Sequence, residues 1–174
     1  GSILDVHHSL LPRIDRKLIP TEALLRERVE VAASGVCTLS PRDMVLHSAL
    51  HMFQMRDIED SLRDVGDIDL LLREFSREPG FWSQLLERAA QFEIGRCLFY
   101  AIELCRQWYD TPIPEAVLGD MQRWKPNGIT LALTKFLVRA SCAPRWLHCP
   151  DSRQQLALAA LTSTSVPRVA VLFD

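Results

Sequence analysis

The stretch that most constrains this chain runs from Ser40 to Met55, S-P-R-D-M-V-L-H-S-A-L-H-M-F-Q-M. Ser40 offers a hydroxyl at the N-cap position, Pro41 suits the first helical position, and Asp43 places an acid in the first turn. These signals predict a helix from Met44 to about Met55. Leu46, Leu50 and Phe53 share one stripe, with Val45, Ala49 and Met52 beside it. Apolar residues therefore cover most of the circumference, and such a helix is stable only when other elements surround it. It is the expected centre of a helical bundle.

The surrounding helices are legible from spacing. One is expected from about Ile58 to Phe75, with Ile58, Leu62, Val65, Ile68 and Leu72 as its apolar stripe. Its other side reads as acidic, with Asp57, Glu59, Asp60, Asp64, Asp67 and Asp69, of which Asp67 is expected nearest the inner stripe. After Pro79-Gly80 a third helix is predicted over Phe81–Gln91. A fourth spans Gly95–Trp108, with Leu98, Ile102 and Cys105 inward. A linker at 111–114 leads to a fifth over Pro114–Trp124, a sixth follows over Ile129–Ala140, and a last short one over Ser152–Thr162. The tail from Val166 is apolar and leans towards strand. Short connections suit antiparallel neighbours, so a bundle of six or seven helices is expected.

The N-terminal part differs. Ile3 to Leu11 reads as a strand, with Ile3, Asp5, His7 and Ser9 on one face and Leu4, Val6, His8 and Leu10 on the other. Pro12 and Pro20 punctuate a loop, Thr21-Glu22 opens a short helix through about Glu27, and Val29–Ala33 suits a second short strand. The division expected is 1–40 as a strand-containing edge and 41–174 as a helical domain. Gly1-Ser2 resembles a scar of tag removal, so native sequence is expected to begin at Ile3, inside a longer protein.

Composition excludes several classes. With 20 basic and 22 acidic residues the net charge is −2, unlike a strongly basic nucleic-acid binder. No apolar run reaches the ~18 residues of a membrane span. The five cysteines are scattered without a C-x-x-C pair, which points to reduced thiols and a cytoplasmic setting. Cys97 and Cys105 fall on apolar helical positions and are expected in the core.

Few constellations suggest chemistry. His47 and His51 stand at i, i+4 and share a helix face, but Ser48 occupies the place where a zinc protease needs its glutamate. A metal site there would need a third ligand such as Asp67. Both imidazoles suit packing between helices or the wall of a nucleotide pocket. Arg63 and Asp67 can pair along one face, whereas Asp67 and Asp69 point about 200° apart and cannot chelate one ion together. The four tryptophans suit packing more than base stacking. Neither a Gly-rich phosphate loop nor a G-x-S-x-G nucleophile motif is present.

Three ordered segments carry a resemblance. Ile3-Leu4-Asp5-Val6-His7, the run Leu39-Ser40-Pro41-Arg42-Asp43 through His51, and Leu62-Arg63-Asp64-Val65-Gly66-Asp67-Ile68-Asp69-Leu70-Leu71 resemble the family of uncharacterised bacterial nucleotidyltransferases. The Trp82–Leu98 stretch and Ile113–Val117 also fit, so the likeness covers roughly Ile3 to Leu118. It implies a fold related to DNA polymerase β: a bundle of helices with a short N-terminal strand segment belonging to an α+β nucleotidyltransferase domain. In that family three carboxylates hold two Mg²⁺ ions for nucleotide transfer. Asp5 matches the third carboxylate and metal ligand, and His7 would share its face. His47, His51, Arg63 and Asp67 are the remaining candidates for a nucleotide or substrate pocket.

The same resemblance implies a nucleoside triphosphate and an unidentified acceptor as substrates. The family's Gly-Ser motif with a following Asp-x-Asp pair has no counterpart here, since Gly66-Asp67-Ile68-Asp69 lacks the serine and lies in a helical pattern. The chain alone is therefore expected to be inactive. Two other readings remain open at the level of sequence. One is a non-catalytic helical interaction module, with a possible homodimer; the other is a metal-dependent hydrolase using His47, His51 and Asp67.

Overall fold

The computed structural model of the chain describes residues 19–32, 34–54 and 61–141. Seven α-helices, one 3₁₀ turn and a two-stranded antiparallel sheet occupy these residues. The protein is thus mainly helical with a small β element near the N-terminus. The strand expected at Ile3–Leu11, the helix at Ser152–Thr162 and the apolar tail lie outside the described residues.

Helix α1 (Thr21–Leu25) is followed by a hairpin of β1 (Val29–Glu30) and β2 (Cys37–Thr38), paired Val29 to Thr38 and Glu30 to Cys37. The strand expected at Val29–Ala33 is shorter than its pattern suggested, and its partner β2 carried no readable period. Gly35 turns the hairpin with φ of 72°, a left-handed conformation that glycine adopts without a side-chain clash.

Helix α2 (Pro41–Gln54) begins where the cap signals placed it, with the backbone N–H of Asp43 donating to Ser40 Oγ at 3.3 Å. It packs against α3 (Ser61–Phe75), α4 (Phe81–Gln91) and α5 (Gly95–Tyr109) and so occupies the centre of the bundle. Its Val45, Leu46, Ala49 and Leu50 meet Val65, Ile68 and Leu72 of α3, Leu85 and Ala89 of α4, and Leu98 and Ile102 of α5 in one core. Burial of each large aliphatic side chain stabilises the fold by about 1.5–3 kcal/mol. Cys97 and Cys105 are buried in that core, as their positions on α5 predict.

Beyond α5 the expected fifth helix divides into α6 (Glu115–Asp120) and a 3₁₀ turn (Met121–Trp124). Trp124 of this turn lies against Gly95 at the start of α5, which brings the C-terminal elements onto the bundle. Helix α7 (Gly128–Ser141) follows, and its buried Thr134 meets Tyr100 of α5. Burial pushes the Tyr100 hydroxyl above its ordinary value, and the Thr134 side chain offsets part of that rise. No helix among the described residues is long and apolar enough to cross a membrane.

Candidate functional site

Asp5 and His7, the residues expected at a metal–nucleotide edge, lie outside the described residues. The other four candidates appear as two pairs, His47 with His51 on α2 and Arg63 with Asp67 on α3. His47 and His51 stack on α2 with ring centroids 6.0 Å apart, half-buried as the i, i+4 spacing implies. Arg63 and Asp67 approach only to 4.0 Å, with side chains 78% and 58% exposed. A surface pair of this kind contributes between nothing and about 1 kcal/mol.

The placement of Asp67 corrects the expectation that it sits near the inner stripe. Successive helical residues turn by about 100°, so Asp67 falls roughly 160° from Val65, while Asp69 falls only about 40° from it. Asp69 is accordingly the buried acid and Asp67 the solvated one. Asp69 likewise leaves the acidic outer face to which its charge had assigned it. Among the described residues no three of His, Cys, Asp and Glu are grouped to hold a metal ion. His47, His51 and Asp67 therefore form no metal centre there.

Two charged clusters that sequence reasoning did not single out organise the bundle instead. The first surrounds Arg88 of α4, which is buried although charged. Its Nε–H donates to Asp43 Oδ1 at 2.9 Å, and Nη2 donates to Asp43 Oδ2 at 3.1 Å and to the Ala23 carbonyl at 2.8 Å. Nη1 reaches Gln91 Oε1 at 3.0 Å and Glu27 Oε1 at 2.9 Å. The five donors of the guanidinium thus meet five acceptors. The Phe92 ring lies 4.3 Å from its central carbon. Asp43 is wholly buried in the first turn of α2, where the helix dipole also favours its charge.

Glu27 shares its carboxylate between Arg88 and Arg42, and Arg42 also donates to Gln84 Oε1 at 2.7 Å. The hydrogen bond from Arg42, with the charge of Arg88, holds Glu27 below the usual carboxylate range. A carboxyl whose pKa is lowered on folding stabilises the protein above its unfolded value of about 4.3 and loses that contribution as pH falls through the folded value. The stability difference between the wild type and Glu27→Gln, followed by urea unfolding, should therefore be largest near neutral pH and shrink towards pH 3. A difference constant over that range would show that Glu27 acts without its charge.

The second cluster joins α3 to the end of α5. Arg73 Nε donates to both oxygens of Asp69, at 2.8 and 3.0 Å, its Nη2 donates to the Tyr109 carbonyl at 2.6 Å, and Thr111 Oγ1 donates to Asp69 Oδ1 at 2.6 Å. Cys105 lies beside this group and donates from Sγ to the Val65 carbonyl at 3.5 Å. Burial, reinforced by the nearby Asp69 carboxylate, pushes its thiol up to about 12. A protonated thiol is a poor nucleophile. Iodoacetamide at pH 8 should label exposed Cys37 in the native protein and leave Cys105 unmodified until urea is added; native labelling of Cys105 would contradict this burial.

Both clusters have their acids engaged by arginines and hydroxyls, so neither presents an open carboxylate to a ligand. Their chemistry is that of fasteners between helices. The available signal was position: Asp43, Asp69 and Arg88 each stand within an apolar stripe, where a charge must find a partner.

Comparison with protein families matches the chain to a family described as uncharacterised nucleotidyltransferase, over residues 1–110. Comparison with curated proteins and with solved structures gives no match.

Proposed function

We propose, since this chain belongs to the uncharacterised nucleotidyltransferase family, that it serves in transfer of a nucleoside monophosphate from a nucleoside triphosphate to an acceptor. The observation that carries this reading is the family match across residues 1–110, which spans all three segments of the resemblance, including the one with Asp5. In this reading Asp5 is the metal-holding acid supplied by the chain, and His7 shares its edge. The Ser40-Pro41-Arg42-Asp43 segment then has a structural part, because Asp43 fixes Arg88.

Mg²⁺ would supply charge neutralisation at the transferred phosphates in such a reaction. The described residues do not fit that ion: Asp67 and Asp69 diverge, Asp69 is engaged by Arg73 and Thr111, and Asp43 by Arg88. The chain lacks a Gly-Ser motif closely followed by Asp-x-Asp, so alone it is proposed to be inactive.

Assay of this chain with Mg²⁺ and each nucleoside triphosphate should give no sustained turnover, and Asp5→Ala in the natural gene product should abolish transfer. Sustained turnover by the chain would overturn its inactivity, and full activity of the Asp5→Ala protein would remove the role of Asp5. A helical interaction module without chemistry is the second reading. It draws on the exposed Leu25, Val29, Val31 and Val36, and it requires that the natural gene product bind no nucleotide.

A further inference from the structure

The way residues 19–38 are fastened differs from the way the helices behind them are fastened. Their backbone hydrogen bonds, among the described residues, stay within the stretch: Arg26 to Glu22, Val31 to Val36 and the pairing of β1 with β2 are examples. Every described side-chain hydrogen bond or ion pair that leaves the stretch ends on Arg42 or Arg88. Its apolar anchorage is narrow, because among the described residues of the stretch only Ile19 and Leu24 lie in the buried core. The hairpin residues Val29, Val31 and Val36 face solvent. An isolated two-stranded hairpin is at best marginally stable, and segments with few buried apolar contacts open before the global fold does.

We infer that the described residues between 19 and 38 form a flap that opens as a unit from the helical body, with the contacts of Glu27 to Arg42 and Arg88 as its latch. The Arg88–Asp43 pair belongs to the body, since it joins α4 to α2 and stays whole when the latch opens. Arg88 is therefore shared: two of its hydrogen bonds hold α2, and those to Glu27 and Ala23 hold the flap.

Hydrogen exchange followed by mass spectrometry at pH 7 tests the latch without any nucleotide, so its result does not depend on whether the chain serves in transfer. The comparison is between wild type and Glu27→Ala, which spares the Arg88–Asp43 pair. Peptides covering 22–31 are expected to exchange about two- to fivefold faster in the variant, while those covering Val65–Leu72 and Leu98–Cys105 keep their wild-type rates. Unchanged exchange in 22–31 would overturn the latch. An equal acceleration in flap and body would overturn the separate opening. If Glu27→Ala does not fold, Arg42→Ala removes the other half of the latch and is read by the same two criteria.

Discussion

Asp43→Ala should lower the stability of the protein by about 3–5 kcal/mol, measured as a shift in the urea midpoint at constant slope. Asp43 is wholly buried, and Arg88 nearly so. Removing the carboxylate leaves the Nε–H and one Nη2–H of Arg88 without the acceptors they now have at 2.9 and 3.1 Å. The cost comes from the stranded charge more than from the lost attraction, because water cannot reach the guanidinium to replace the acid. Glu27→Ala tests that distinction on the same arginine. Its side chain is 34% exposed, water can take its place, and the expected loss is below about 1 kcal/mol. Replacing Asp43 and Arg88 together by leucine should cost far less than the sum of the single changes, since no buried charge is then left alone. Equal losses for Asp43→Ala and Glu27→Ala would show that burial does not set the energetics of this cluster.

That cluster also explains how far sequence reasoning reached. Helix positions were legible because the signals were local: the cap at Ser40, the 3–4 spacing of Val65, Ile68 and Leu72, and the break at Pro79-Gly80 all act within a few residues. The inward set of α5, Leu98, Ile102 and Cys105, followed from the same period. The site was less legible, because its partners are far apart in sequence. Arg88 meets Asp43 across 45 residues and Ala23 across 65, and no helical period reports such a pairing. What the sequence did contain was a conflict, a charge on an apolar stripe. At Asp69 the acidic neighbours mask that conflict, because composition alone assigns the residue to the outer face. The angular position of each acid separates Asp69 from Asp67 where a count of acids does not. The strand β2 is illegible in the sequence for a different reason. Its two residues carry no alternation, and the turn at Gly35 with the pairing to Val29 and Glu30 defines it.

Gly95→Ala should destabilise the protein by about 1–2 kcal/mol, against the sign that helix propensity alone would give. Alanine is ordinarily better than glycine in a helix by about 0.5–1 kcal/mol, and Gly95 is the first residue of α5. A Cβ at this position would, however, overlap the indole of Trp124. That ring is partly buried against the core, so relief requires the indole or its 3₁₀ turn to shift. Overpacking of this kind costs about 1–3 kcal/mol, which outweighs the propensity gain. The matched cycle makes the cause visible. In a Trp124→Ala background the obstruction is gone, and Gly95→Ala should become neutral or stabilising by up to about 1 kcal/mol. Failure of the sign to reverse would mean that Gly95 is required for some reason other than the approach of Trp124. A reversal would show that a residue beyond the 1–110 family match dictates the identity of one inside it, so that the turn at Met121–Trp124 folds as part of the same bundle.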